Sequence, residues 1–569
     1  MLFRTLSAPS LRRVTVDRFG GLDRREGAAA GSCAEMENLW SGAYPALAVC
    51  PAMGAVTKVD APQAMTAGES LIWVAGRRVY VNGLAVGPVV LEGEKRLVTM
   101  GAYLVIFPDK VWLNLRDPEE YGYLENAVTT AGEVSLSLSR GDGSLWGEYT
   151  VSPTAPVEGR EGDLWLDTSA GAALRRYDGD VWDAAADVCV KLQAAGIGVG
   201  FAAGDGVTVS GCAEESLNGR HVLRHVEADA LIFTATVPGD SVQTSPITVS
   251  RTVPDMDYVT ECGNRLWGCK YGVVDGRAVN EIYACKLGDF RNWHCYEGLS
   301  TDSYAASRGS DGPFTAAVSY SGSVLFCKEN CIERLYPSAS GGHSVVTLAC
   351  PGVAAGCADS AVTVDGVLYY VGRGGVYAFD GSIPTCVSAA LGAVDCTAAA
   401  AGAWQGCYYL SVGEGERQLL VYDTRRHLWH RRTGFGVVHF AALGGELYAL
   451  CDDGAVLALH GMAGERQAPV SWYAESGALG LRDAAHRYPM RLTLHLRMDR
   501  GSRVQAFLRY DGAGVWHPQG SVTGRGGTQE VTLHLKPRRC GHLQLRLEGV
   551  GGCTVCAVSA VYAEGSDET

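Results

Sequence analysis

One phrase recurs along this chain and narrows what it can fold into: a short apolar or aromatic run, a tight turn, and a second such run. Gly366-Val367-Leu368-Tyr369-Tyr370 leads into Gly375-Val376-Tyr377-Ala378-Phe379, and Gly445-Glu446-Leu447-Tyr448-Ala449-Leu450 leads into Gly454-Ala455-Val456-Leu457-Ala458. Related wording stands at Leu71-Ile72-Trp73 with Arg78-Val79-Tyr80, at Tyr103-Leu104-Val105-Ile106-Phe107 with Lys110-Val111-Trp112, and at Arg265-Leu266-Trp267. Each phrase predicts strand, turn and strand, with Gly or Asp where the backbone passes through positive φ. Repetition of such a unit predicts stacked hairpins, for which a β-propeller is the usual outcome.

Composition agrees with an all-β reading. Gly supplies 73 of 569 residues, charged residues only 19%, and Val, Leu and Tyr fall in short runs. The best helical candidate, around Ala184 to Ala195, is short. The formal charge of −14 is uneven: from Val470 onward Lys and Arg slightly outnumber Asp and Glu, while the rest is strongly acidic. An acidic bulk cannot neutralise phosphates over most of its surface, and its plainer role is solubility. No run reaches the roughly 18 to 20 apolar residues of a membrane span, and the first residues lack the apolar core of a signal sequence. The expectation is a protein made in a cytoplasm.

Most of the 19 Cys sit inside apolar strand wording and read as reduced, buried thiols. Cys553-x-x-Cys556, Cys327 with Cys331, and Cys262 with Cys269 are the local pairs. Structural zinc needs four converging ligands, and an odd spacing of three sends Cys553 and Cys556 to opposite faces of a strand. No metal or cofactor is expected.

The organisation follows from where the repeat runs. Residues 1–60 form an extended, Gly- and Pro-rich leader. Residues 61–116 hold the first propeller blades, 117–250 a β-rich insertion, and 251–465 the remaining blades, at about 257–298, 313–337, 358–388, 398–432 and 437–461. The total is six or seven. Residues 466–569 alternate apolar and polar strictly, as in Arg491-Leu492-Thr493-Leu494-His495-Leu496-Arg497, and predict a C-terminal β-sandwich. Within the insertion, Asn218-Gly219 is a type I′ turn signal. Trp165, Tyr177 and Trp182 lie on two aromatic strands there. Exposed, they would stack on a sugar; as a pair of strands in a small sheet, they more simply form its core.

Catalytic wording is missing. No Gly-x-Gly-x-x-Gly opens a helix, and there is no Walker lysine loop, His-Glu-x-x-His or Gly-x-Ser-x-Gly. His427 and His430 flank Trp429, which reads more simply as the last strand of a blade than as a metal cluster. Asp452-Asp453 and Glu119-Glu120 sit on turns, whereas glycoside cleavage needs two acids from separate elements. No catalytic residue is assigned. A carbohydrate-binding or glycoside-cleaving propeller is the alternative function.

Several phrases resemble those of a tailed-phage and prophage structural family, the tail-hub or DNA-stabilisation proteins of the head–tail connection. They are the leader Phe19 to Leu47 with Met36-Glu37-Asn38-Leu39-Trp40-Ser41, and the segment Asn264-Arg265-Leu266-Trp267-Gly268 through Gly288-Asp289-Phe290-Arg291-Asn292-Trp293. The third is Pro537-Arg538-Arg539-Cys540-Gly541-His542-Leu543 near the end. The likeness covers the chain outside the insertion. It departs in the leader, where Cys50-Pro51-Ala52 stands for the family's Arg-Pro-Gly. The resemblance implies a non-enzymatic virion protein that forms a homo-oligomeric ring and contacts other tail, portal or connector proteins, with packaged DNA a possible neighbour at the channel. In such a ring the locally basic C-terminal region suits an acidic neighbour, and Arg538, Arg539, Arg497 and Arg503 are the candidate interface residues. Their plainer role is as solvated strand edges that resist aggregation.

Overall fold

Paired residues at positive φ fix the hairpins. Asn82-Gly83, Asp275-Gly276, Ser321-Gly322, Asp365-Gly366, Gln405-Gly406 and Gly444-Gly445 each hold two successive residues there, as a type I′ turn requires. The computed structural model describes residues 10–564 apart from 27, 338–341, 416 and 480–486. It is all-β, 52% strand and 2% helix, arranged as many small sheets.

The chain divides into two compact units, Met1–Ala85 with Cys327–Ile332 and Leu348–Thr569, and Val86–Phe326 with Glu333–Thr347. The first unit holds four-stranded sheets whose strands follow chain order. One is Val362–Val364, Val367–Gly372, Gly375–Phe379 and Thr385–Cys386; the next is Ala399–Trp404, Cys407–Val412, Gln418–Asp423 and Leu428–Arg432. Their second strands are buried almost throughout, which is why they read as unbroken apolar runs. A further sheet, Val437–Leu443, Glu446–Cys451 and Ala455–Ala458, is extended by Gly54–Lys58 from the other end of the sequence. Tyr409, Val421, Leu447, Ala449 and Leu457 pack together in its core.

The C-terminal residues of this unit form two antiparallel sheets. One runs Leu39–Trp40, Leu47–Val49, Cys553–Glu564, Arg487–Met498, Gly527–His534, with Leu11–Val16 also paired to Cys553–Glu564. The other runs Cys33–Glu37, Ser471–Ser476, Leu543–Val550, Arg503–Tyr510, His517–Thr523. The leader therefore supplies strands to three sheets rather than trailing as turns. The clasp is visible in its side chains. Asn38, at φ 57°, donates to the Ser471 carbonyl at 2.9 Å and accepts from the Thr433 N–H at 3.1 Å. Ser41 donates to the buried Asp423 carboxylate at 2.6 Å, and Arg431 pairs with Glu35 and Glu37. Side-chain bonds between residues 382 to 433 positions apart are invisible to local pattern.

In the second unit, Arg96–Met100, Tyr103–Phe107, Val111–Asn114 and Tyr121–Tyr123 make one sheet, and Tyr258–Glu261, Leu266–Val274, Arg277–Ala284 and Tyr304–Ser307 another. The first extends past residue 116. Strands from Asn126–Thr129 to Thr248–Arg251 build an eight-stranded sheet, and Thr150–Ser152, Leu164–Asp167, Ala173–Tyr177 and Trp182–Ala184 a small one. The buried Arg251 donates to Asp205 at 2.6 Å and to the Leu124 carbonyl at 3.0 Å, pinning the base of this region.

Two local expectations are corrected. The helix candidate at Ala184–Ala195 is the strand Cys189–Gln193, because Val190 and Leu192 are both buried at period two. Asn218-Gly219 is not a type I′ turn: Asn218 is extended at φ −75° and spends its amide on the Cys212 N–H and carbonyl, at 2.9 and 2.8 Å.

Candidate interaction surfaces

The phrase that carries the family resemblance is interior. Arg265 is 5% exposed and donates to the carbonyls of Cys285, Ser300 and Asp302. Burial pulls its guanidinium below the usual arginine range. Asn292 is fully buried, accepting from the Gly206 N–H at 3.1 Å and donating to the Gly204 carbonyl at 2.6 Å. Trp267 and Trp293 are buried beside them. These residues hold the fold; they do not face a ligand.

Of the four arginines predicted for an interface, all are exposed. Arg497 is the penultimate residue of a strand of one C-terminal sheet and Arg503 begins a strand of the other, so the two are not neighbours in one strand ladder. Arg497 lines a polar cleft of about 550 Å³ with Arg466, Gln467, Asp499 and Thr554. Arg503 lines a second, of about 530 Å³, with Glu37, Tyr473, Gln505 and Arg546. In that cleft Arg546 is already held by Glu475 and Glu548 and lies over the Tyr473 ring at 4.8 Å. Arg538 lies over the Tyr510 ring at 5.0 Å and Arg539 stands in the same connection. None of the four makes an ion pair among the described residues, though Arg538 also meets His517 Nε2 at 3.4 Å.

The aromatic trio is divided. Trp165 is 6% exposed, with its indole N–H on the Ser152 carbonyl at 2.9 Å, so it offers no face to a sugar. Trp182 meets it edge-on at 5.7 Å and Tyr177 at 5.1 Å. A Cβ at Gly159 would lie 3.1 Å from Tyr177 and 3.2 Å from Trp182, so loop backbone already covers this pair. Trp165 is interior to the small sheet, while Tyr177 and Trp182 stay half-buried at its surface.

Sequence reading missed a groove of about 320 Å³ in the second unit, lined by Arg220, His221, Arg224, Thr234, His294, Tyr296 and Glu297. Its residues come from distant stretches that only pairing brings together. Arg224 is shared between Thr234 and Glu297, at 3.2 and 3.5 Å. Burial, reinforced by Arg220, lowers the His294 pKa to about 4, so this imidazole is neutral at pH 7. Nearby, Cys295, Glu297 and Asp302 form the one metal-like trio among the described residues. Asp302 there accepts the backbone N–H groups of Glu297 and Leu299 and locks their loop, and burial pushes the Cys295 thiol up.

The other sites weighed from sequence are ordinary. His427 sits in a turn at φ 58° with its ring bonded to the Tyr422 hydroxyl, and His430 is buried on the strand Leu428–Arg432. Asp452, Asp453, Glu119 and Glu120 are exposed. No helix among the described residues is long and apolar enough to cross a membrane.

No protein-family model matches the chain, and no curated protein matches it. Among solved structures, an exo-beta-1,3-galactanase from Phanerochaete chrysosporium is 8% identical over 53% of this chain and 94% of that one, with a TM-score of 0.20. The Trypanosoma rangeli sialidase is 10% identical over 90% and 95%, at 0.19, and the phage phi92 endosialidase 11% identical over 74% and 55%, at 0.16. Likenesses this slight carry no argument about what the chain does.

Proposed function

We propose that the chain is a non-enzymatic structural component of a phage or prophage tail hub or head–tail connector, assembling as a ring and contacting neighbouring tail proteins. In this reading the four-stranded sheets are blades of a six- or seven-bladed β-propeller. One blade is completed by Gly54–Lys58, and the two C-terminal sheets are a β-sandwich. The observation that carries the proposal is the leader. Its strands enter three sheets, tying the start of the chain to its end, as suits a part that must hold shape under load. Arg497, Arg503, Arg538 and Arg539, exposed and in no ion pair among the described residues, suit an acidic neighbour, or the phosphates of packaged DNA at a channel. The protein would be made in the bacterial cytoplasm and end in the virion. The test is whether it co-sediments with gradient-purified particles in several copies each; a protein found only in the particle-free fractions sinks the proposal.

One observation favours a second reading, carbohydrate binding. Tyr296 is 44% exposed beside Arg220, His294 and Glu297 in the second-unit groove, a setting suited to a sugar ring. A glycan array in which binding disappears on Tyr296→Ala supports it, and hydrolysis lost on substitution of a single acid would make it a glycosidase.

A further inference from the structure

Among the described residues, the sheet that carries Leu11–Val16 has two edges with no further strand, and their side chains match. At this end four strands lie in the order Leu11–Val16, Cys553–Glu564, Arg487–Met498, Gly527–His534, every neighbour antiparallel. Three rows cross all four strands. Val16, Val558, Leu494 and Val531 form an apolar row; Thr15, Ser559, Thr493 and Thr532 a hydroxyl row; Val14, Ala560, Leu492 and Leu533 a second apolar row. The hydroxyl row is bonded at both ends, Thr15 to Ser559 at 2.7 Å and Thr493 to Thr532 at 3.3 Å. The outer strands each have one strand partner among the described residues. Leu11 and Val14 on the first are 63% and 43% exposed.

Four alternating strands have a geometric consequence. The two edge strands point in opposite directions, so a second copy in the same orientation lays its Gly527–His534 antiparallel to Leu11–Val16 of the first. In that register Val531 falls beside Val16, Thr532 beside Thr15 and Leu533 beside Val14, and each row continues with the residue type it already has. We propose that these two edges join between copies of the chain, extending one sheet head to tail. The inference rests on the ring reading and names its contact surface. The join is heterologous, so the rotation per copy decides whether it closes into a ring. Asp17 falls opposite Glu530, a like-charge pair that limits the paired stretch and makes the contact tighten as salt screens it.

The test uses Thr15→Cys and Thr532→Cys in the full chain. Within one copy these positions are three strand spacings apart, about 14 Å, beyond disulfide reach. Mild oxidation of the two single variants mixed is expected to give one covalent dimer that neither gives alone, and the double variant a ladder of multimers. Val14→Glu is expected to weaken self-association by about tenfold or more, measured by light scattering at unchanged circular dichroism. If the wild-type chain is an oligomer but the mixture gives no new band and Val14→Glu changes nothing, the edge assignment is wrong and the ring reading survives. If the wild-type chain stays monomeric at every concentration and no band forms, both fail.

Discussion

The chain-order sheets and the C-terminal sheets are built from similar residues and differ in what covers them. Leu71–Ala75, Ser323–Cys327 and Cys407–Val412 are buried at every position, so nothing but small and apolar residues is tolerated and the sequence reads as solid runs. Gly527–His534 alternates half-buried and exposed positions, and Arg503–Tyr510 buried and more exposed ones, so polar residues such as Glu530, Thr532, Arg503 and Gln505 recur on the outer face. The first region keeps its stability in large interior side chains. The second keeps polar strand edges at the surface, with arginines that make no ion pair among the described residues.

The largest test of this contrast is truncation to alanine in each region. Trp267 is wholly buried and donates to the Cys262 carbonyl at 3.1 Å. Trp267→Ala is expected to cost about 3–5 kcal/mol, read from urea unfolding, whereas Leu533→Ala on the half-buried edge strand costs below about 1.5 kcal/mol. Equal losses at the two positions would erase the distinction.

Acid separates the regions next. Burial lowers His430 to about 4 and His460, which stacks on Trp404 at 3.5 Å, to about 3. Both imidazoles are neutral in the fold, so only the unfolded chain takes up their protons as pH falls below the ordinary value of 6.5. Stability is full above pH 6.5 and is withdrawn progressively toward pH 4. For His430 the loss is on the order of 3 kcal/mol. His430→Phe is expected to flatten the pH dependence of the unfolding midpoint across this window; an unchanged slope would mean the ring is hydrated.

The clasp comes third. Asn38→Ala removes the bonds to Ser471 and Thr433 and is expected to cost about 1–3 kcal/mol, with faster hydrogen exchange in Cys33–Glu37 and Ser471–Ser476 together. Exchange that rises in Cys33–Glu37 alone would show the leader to be merely laid on the surface.

The smallest effect on stability belongs to the arginines. Arg538→Glu with Arg539→Glu is expected to change stability by less than about 0.5 kcal/mol while shifting sedimentation of any oligomer at low salt. An oligomer indifferent to both the substitutions and salt would remove these residues from the interface.

Much of the first region was legible because its hairpins use local chemistry. Asp275-Gly276 and Asp365-Gly366 announce their turns, and the apolar runs beside them announce burial on both faces. Asn218-Gly219 offers the same kind of turn signal for a different end, since its amide is committed to Cys212. The leader's strands do not announce themselves, because Leu39–Trp40 and Leu47–Val49 are too short to show a period and the second is completed by Cys553–Glu564 at the other end of the chain. Trp165, Tyr177 and Trp182 were legible as a cluster, but only packing shows Trp165 facing inward. The groove around His294 joins the segments 220–234 and 294–297, which no spacing rule connects.

The most direct measurement is quantitative mass spectrometry of gradient-purified particles released by cells that encode this chain. A structural component is expected at a fixed copy number per particle, unchanged through a second gradient and lost with the leader clasp in Asn38→Ala. A chain that washes out of the particles, or varies in amount between preparations, would contradict a structural role.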